Sequence, residues 1–351
     1  TETQRRAFIL ADNRIAESAN WDDELLSLEM ADLAELDIEV SLTGFTDAEI
    51  NKLLSNGLAP DDREDETPDA PDIPVSRAGD LWLLGDHRIL CGDATDSSQV
   101  KRLLGGAAPN LMVTDPPYGV EYDAEWREKV HGAEAAPRST GAVTNDDRFD
   151  WSDALRLFPG DVAYVWHAAG KAVETAQSLT SLGFERRAQI IWAKQHFAIS
   201  RGHYHWQHEP CWYAVRKGRT GKWLGDRKQS TLWEVPNASA FGGSDDDGKT
   251  VHSTQKPVEV MRRPILNHTK PGEAVYDPFL GSGSTVIAAE HTGRIAYGLE
   301  IEPRYIDVIV RRWQQFARAE AVLDGDGRTF GEIAAERLSD SPAETGSGDG
   351  S

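Results

Sequence analysis

Four residues, Asp115-Pro116-Pro117-Tyr118, follow the apolar run Leu111-Met112-Val113. Two consecutive prolines stiffen the backbone behind a carboxylate. The Asp115 side chain and an adjacent main-chain carbonyl can then both accept hydrogen bonds from one amino group. Tyr118 adds a flat face on which a ring can stack. A capped Pro-rich turn uses the same residue types. This one sits directly after a strand that reads as buried, at the carboxyl edge where open α/β sheets bind ligands. The chemistry that fits is the gripping of an exocyclic amino group.

A second cluster, Asp277-Pro278-Phe279-Leu280-Gly281-Ser282-Gly283, lies far downstream. It joins the strand-like Ala274-Val275-Tyr276 to a helix that opens at Ser284. Gly281 and Gly283 remove side chains where backbone passes close to a ligand. Glu300 ends the next strand, at a spacing that suits a carboxylate holding ribose hydroxyls. No Lys follows the loop as in a P-loop, so phosphate is disfavoured.

Two weaker signals accompany these. Asp93, after Arg88-Ile89-Leu90-Cys91-Gly92, fits a carboxylate on the amino group of a bound adenine, and fits a turn Asp equally well. Ser253-Thr254-Gln255-Lys256-Pro257 precedes a helix, either capping the same pocket or serving as an ordinary N-cap with a first-turn Pro. Residues 194–228 are basic, with Lys194, Arg201, Arg216, Lys217, Arg219, Lys222, Arg227 and Lys228 among Trp206, Trp212, Tyr213 and Trp223. Such side chains position phosphates and read base edges. His203, His205, His208 and Cys211 lack a second pair at zinc spacing, so polar or DNA contacts are preferred to a metal.

The elements that would position these residues alternate. Leu81–Asp93 reads as two strands around a Gly-Asp-His turn. Strand-like runs follow at 110–114, 161–166, 188–193 and 210–216, with a helical stretch at 168–182. Beyond the Gly loop come a helix at 284–293, a strand at 295–299 and a helix at 304–318. Strands alternating with helices predict an α/β, mainly parallel, doubly wound sheet. Residues 1–57 read as a small helical unit, with Thr46 and Glu49 as a capping box. Residues 58–79 are acidic and Pro-rich, an extended linker. Residues 119–150 read as a mobile lid or as a plain insertion. Residues 319–351 form an acidic tail, partly disordered.

The 351 residues carry a formal charge of −21, which looks wrong for a partner of nucleic acid. Its distribution removes the conflict: residues 1–80 hold 21 acidic against 6 basic side chains, and 318–351 hold 8 against 3. The middle of the chain is near neutral and can carry a local basic face. Two cysteines exclude a disulfide framework and suggest a reduced, cytoplasmic protein. No apolar run is long enough to span a bilayer, so no membrane partner is expected.

The pair Asp-Pro-Pro-Tyr and Asp-Pro-Phe-Leu-Gly-Ser-Gly resembles the S-adenosylmethionine-dependent DNA amino-methyltransferases. Their order, with a basic stretch between, is similar to the beta group of adenine-N6 enzymes. Leu-Cys-Gly-Asp, His-Glu-Pro-Cys-Trp-Tyr, Thr-Gln-Lys-Pro and Gly-Leu-Glu agree, so the resemblance spans roughly 80–318. Ala11-Asp12-Asn13-Arg14 and Leu42-Thr43-Gly44-Phe45 resemble the end of a ParB-like domain, as in prophage methyltransferases.

The resemblance implies a seven-stranded Rossmann-like sheet in which 210–216 supplies the antiparallel strand. It implies S-adenosylmethionine bound by Asp277, Pro278, Phe279, Gly281, Gly283 and Glu300, with Asp93 on its adenine and Thr254 and Lys256 nearby. Asp115, Pro116, Pro117 and Tyr118 would act on the target base, and 194–250 would recognise double-stranded DNA through Arg201, His203, Arg216, Lys217, Arg219, Lys222, Arg227 and Lys228. A homodimer and a cognate restriction endonuclease are further expectations. N4-cytosine methylation and a catalytically inactive DNA-binding regulator remain open beside adenine methylation.

Overall fold

A computed structural model describes residues 63–119, 148–198, 203–225, 227–236 and 255–339. The helical unit 1–57, the capping box, most of the 119–150 loop, Arg201, Thr254 and the last residues of the tail lie outside the described residues.

Among the described residues ten strands form one sheet: β1 (Leu81–Leu84), β2 (His87–Cys91), β3 (Leu111–Thr114), β4 (Val162–Trp166), β5 (Phe184–Ala198), β6 (Trp206–Arg216), β7 (Leu232–Glu234), β8 (Ala274–Asp277), β9 (Ile295–Glu300) and β10 (Val322–Leu323). Their spatial order is β10-β1-β2-β9-β8-β3-β4-β6-β5-β7. The five central strands, β2 to β4, run parallel, and β6 pairs antiparallel with both β4 and β5. The seven-stranded sheet expected from the sequence is present from β2 to β5, with β6 as its antiparallel member. Three strands extend it. The short edge strands β10 and β7 carry too few residues to show an alternating pattern. β1 is visible in the sequence but joins as a hairpin partner of β2.

Every residue of β3 and β4 is buried, as a parallel strand covered on both faces requires. Ser97–Leu104 (α1), Ser152–Arg156 (α2) and Ala172–Ser181 (α3) cover one face, where Val100, Leu103, Leu155 and Leu179 meet Met112, Ala163 and Val165. Val258–His268 (α4), Ser284–His291 (α5) and Pro303–Ala317 (α6) cover the other, where Val258, Val286, Ile306 and Ile309 meet Leu111, Val113 and Val275. Asp96 caps α1 through the Ser98 and Gln99 amides. Gly105 closes that helix in the left-handed conformation.

Two segments depart from the sequence reading. Residues 63–79 have no helix or strand, yet they are fastened to the sheet unit. Buried Glu64 pairs with Arg262 at 2.7 Å, and the Asp65 carboxylate accepts the Val258 amide at 2.8 Å. Asp307 in α6 accepts the amides of Val75 and Ser76 at 2.6 and 2.9 Å. The acidic and polar side chains that signalled a solvated linker are used as anchors. Likewise the tail from 319 folds back: β10 pairs with β1, and Phe330–Ser339 (α7) sets Phe330 edge-on to Trp82 at 5.2 Å.

Candidate active site

Because β2, β9, β8, β3 and β4 run in one direction, their carboxyl ends share a rim. Asp93, Glu300, Asp277 and Asp115 stand there in that order. The register places Cys91 beside Glu300, Asp277 beside Gly298 and Trp166 beside Cys211. Antiparallel β6 thereby brings Glu209 to the same rim, opposite Trp192 of β5, with Lys194 just beyond.

Asp115 is the centre of a compact polar cluster. Its Oδ1 accepts the Tyr118 hydroxyl at 2.6 Å, and its Oδ2 accepts the Lys256 ammonium at 2.6 Å. Lys256, only 6% exposed, also donates to Tyr118 Oη at 3.0 Å and to Glu209 Oε2 at 2.7 Å. Lys194 pairs with the other Glu209 oxygen. Burial pushes the Asp115 carboxyl above its ordinary value, against the pull of Lys256. Burial would raise Glu209 too, but Lys256 and Lys194 outweigh it and hold that carboxyl at about 2. Burial, then the two carboxylates, keeps the Tyr118 phenol protonated, a donor.

The glycine loop is braced from below. Asp277, fully enclosed, accepts Thr114 Oγ1 at 2.7 Å, Thr285 Oγ1 at 2.6 Å and the Phe279 amide at 3.0 Å. Burial pushes its carboxyl up to about 6. Gly281 (φ 53°) and Gly283 (φ 85°) both take left-handed backbone. A Cβ on Gly283 would lie 3.0 Å from Ile309, whereas one on Gly281 would meet nothing within 4 Å. The open side of Gly281 is therefore a place where a ligand can approach the chain. Its amide donates to Glu300 Oε2 at 2.9 Å, and Glu302 donates to Oε1 at 2.9 Å. Burial lifts the Glu300 carboxyl to about 7.

Trp151 ties the two motifs together. Its indole donates to the Pro117 carbonyl at 2.9 Å, and its ring meets Phe279 edge-on at 4.8 Å. With the Thr114–Asp277 bond, this fixes the diproline turn against the glycine loop. Neither Trp151 nor Glu209 was singled out from the sequence. Trp151 follows a long polar stretch with no periodicity. Glu209 read as a stray acid in a basic segment, although the His-Glu-Pro block contained it.

Several sequence assignments move. Lys256 was expected near the cofactor; its carbonyl does accept Ser284 Oγ of α5 at 2.7 Å, but its ammonium reaches Asp115. Asp277 faces the protein, so it shapes the loop from beneath. Pro278 follows it in that turn. Asp93, exposed, accepts the amide and hydroxyl of Thr95, both at 2.8 Å, as a turn residue does. Arg216 belongs to the opposite rim, where its guanidinium binds the carbonyls of Gly160, Phe158 and Leu182. Lys217 and Arg219 follow it there, Arg219 facing Asp161 at 3.6 Å. Lys222 continues that stretch, so these four cannot line the Asp115 rim. An even run of basic residues hid this split, because a strand carries its two ends to opposite edges of a sheet. His203 lies exposed at the near end of β6, and Arg227 and Lys228 are exposed ahead of β7. Cys211 is buried in the core rather than grouped with the histidines. Among the described residues no helix is long and apolar enough to cross a membrane.

The chain resembles known proteins over much of its length. The N6/N4 DNA methylase profile matches residues 110–311, more than half of the chain, and a ParB-methyltransferase helix-turn-helix profile matches 24–78. The type II methyltransferase M.HinfI of Haemophilus influenzae is 37% identical over 99 residues, 28% of either chain. M.BglII of Bacillus subtilis is 29% identical over 240 residues, 57% of this chain and 62% of that one. The chain thus spans less than two thirds of these relatives. Among solved structures, an M1.HpyAVI–SAM complex has 23% identity and a TM-score of 0.45, covering 64% of this chain and 98% of its own. PvuII DNA methyltransferase, cytosine-N4-specific, has 14% identity and a TM-score of 0.46, covering 76% and 94%. With the profile match over most of the sheet, the chain belongs to the N6/N4 DNA methylase family, with a ParB-methyltransferase helix-turn-helix domain ahead of it.

Proposed function

We propose that this protein transfers a methyl group from S-adenosylmethionine to the N6 amino group of adenine in double-stranded DNA. The observation that carries the reading is the juxtaposition of Asp115-Pro116-Pro117-Tyr118 with the Gly281–Gly283 loop on one rim, tied by Thr114 and Trp151. The loop fits the cofactor: Gly281 is open on one side, Glu300 presents an acceptor for ribose hydroxyls, and Phe279 gives an apolar wall. When bound there, S-adenosylmethionine supplies an electrophilic methyl on a sulfonium.

A base inside a duplex hides its amino group, so the target base must leave the stack. Tyr118 then offers a face for it. Asp115 and the Pro116 carbonyl accept the two amino hydrogens, while the Pro117 carbonyl is committed to Trp151. This grip draws the nitrogen toward tetrahedral geometry and aims its lone pair. It also stabilises the positive charge that develops there. Positioning of this quality contributes about 7–11 kcal/mol to acceleration. His203 supports DNA contact from the near end of β6; Arg227 and Lys228 precede β7 on the far side, beside Gln229, which bonds Asn267 at the end of α4.

The same acceptors fit the N4 amino group of cytosine, and the family takes in both bases. The leading Asp of the motif favours adenine. Transfer of labelled methyl to unmethylated DNA, followed by nucleoside analysis, decides: N6-methyladenine supports the proposal, N4-methylcytosine replaces it, and no transfer by the full chain sinks it. Asp115→Ala should abolish transfer while cofactor affinity stays within about twofold, because the carboxylate contributes to the methyl-transfer step and not to the glycine loop. Equilibrium binding of the cofactor checks the second half.

A further inference from the structure

Lys256 occupies the place the target amino group needs. Its ammonium has three protons and three acceptors: Asp115 Oδ2 at 2.6 Å, Glu209 Oε2 at 2.7 Å and Tyr118 Oη at 3.0 Å. It also lies 5.3 Å from the centroid of the Tyr118 ring. The group that would grip the amino nitrogen and the ring that would stack on the base are thus both engaged by a cation of the protein itself. That cation is antagonistic to transfer, since the amino nitrogen becomes positive beside Asp115 and like charges in a dry site repel strongly.

The second carboxylate resolves the conflict. Glu209 is held by Lys194 on its far side and is fixed in register opposite Trp192 of β5. Lys256 and Lys194 hold its carboxyl at about 2, the ionised form that pairs with both ammoniums. The Lys256 backbone is pinned to α5 through Ser284, so only the flexible stem moves. We propose that Glu209 is a positioning residue: it retains the Lys256 ammonium when the target amino group displaces that ammonium from Asp115. Lys256 closes the amino pocket of the unliganded enzyme, and Glu209 opens it. This inference rests on the amino-methyltransferase reading above.

The test is a rescue. Glu209→Gln keeps shape but removes the retaining charge, leaving Lys256 to Asp115 alone. Its kcat should fall on the order of tenfold or more with cofactor affinity near wild type, in a protein that still folds but melts lower, because Lys194 and Lys256 lose a buried partner. Adding Lys256→Met, which keeps the stem and deletes the ammonium, should restore several-fold of that loss. A Glu209 that acts only in packing would show no such rescue, and a double variant no faster than Glu209→Gln overturns the proposal. NMR of nitrogen-labelled lysine supplies a readout independent of turnover. The Lys256 ammonium should give a slowly exchanging signal, absent in Lys256→Met, that shifts when target-site DNA and a non-reactive cofactor analogue are added. A signal unmoved by DNA that the wild-type enzyme does methylate also overturns it. A wild-type chain that binds the DNA but transfers nothing refutes the methyltransferase reading instead, and the signal alone then scores the displacement.

Discussion

At the scale of single residues, burial raises three carboxyls of the rim, Asp115, Asp277 and Glu300. Burial lifts the Glu300 carboxyl to about 7. Its two oxygens already accept two backbone amides, and protonation turns one of the positions left for ribose hydroxyls into a donor and weakens the rest as acceptors. Cofactor affinity should therefore weaken as pH falls from 8 to 6, and Glu300→Gln should be weaker throughout with a flat profile. Calorimetric titration across that range checks it; an unchanged slope in the variant would remove Glu300 from the binding site. The stability linkage has the opposite sense. Folded-state values raised to about 6 in Asp277 and about 7 in Glu300 mean that the native state holds more protons than the unfolded chain. Their contribution to stability is complete below the unfolded carboxyl values and fades as pH rises through 6 to 7. The unliganded protein pays for a cofactor-ready carboxylate with stability near neutrality.

At the scale of elements, the two loop glycines make unequal demands. Gly283 combines φ 85° with Ile309 at 3.0 Å from a would-be Cβ, whereas Gly281 carries only the left-handed backbone. Gly283→Ala should cost more than the roughly 1–2 kcal/mol expected from backbone strain alone, and Gly281→Ala about that much. Thermal melts of the two variants, with equal losses as the contrary result, decide this. The strands and helices that carry the site were legible because each obeys a simple pattern. β3 and β4 are short apolar runs, β8 leads into Asp-Pro-Phe-Leu-Gly-Ser-Gly, and α6 opens after Glu300 with Pro303 in its first turn. What the sequence hid is what depends on pairing. The two-residue β10 and the three-residue β7 have no period of their own. Glu209 acquires its meaning only from the antiparallel register that sets it beside Asp115. Arg216 looked like its basic neighbours until that same strand carried it to the far edge.

At the scale of the molecule, charge and anchoring take over. Residues 63–79 contribute the buried Glu64–Arg262 pair, the Asp65 cap on α4 and the Asp307 bonds to Val75 and Ser76. A chain starting at residue 63 should melt well above one starting at 80, because without the segment Asp307 loses the Val75 and Ser76 amides and Arg262 loses Glu64, keeping Glu259. Equal melting of the two shortened chains would show the segment to be dispensable.

The strands that lead into the diproline turn and the glycine loop, β3 and β8, touch in the sheet although Leu111 and Val275 are far apart in the chain. β9 must then slot between β8 and β2. During translation the middle of the sheet has an empty slot until its last strands leave the ribosome. Asp115 is made early but acquires its Thr114–Asp277 brace only near the end. A half-made polypeptide thus carries the diproline turn with no glycine loop beside it, and maturation of the centre awaits the arrival of β8 and β9.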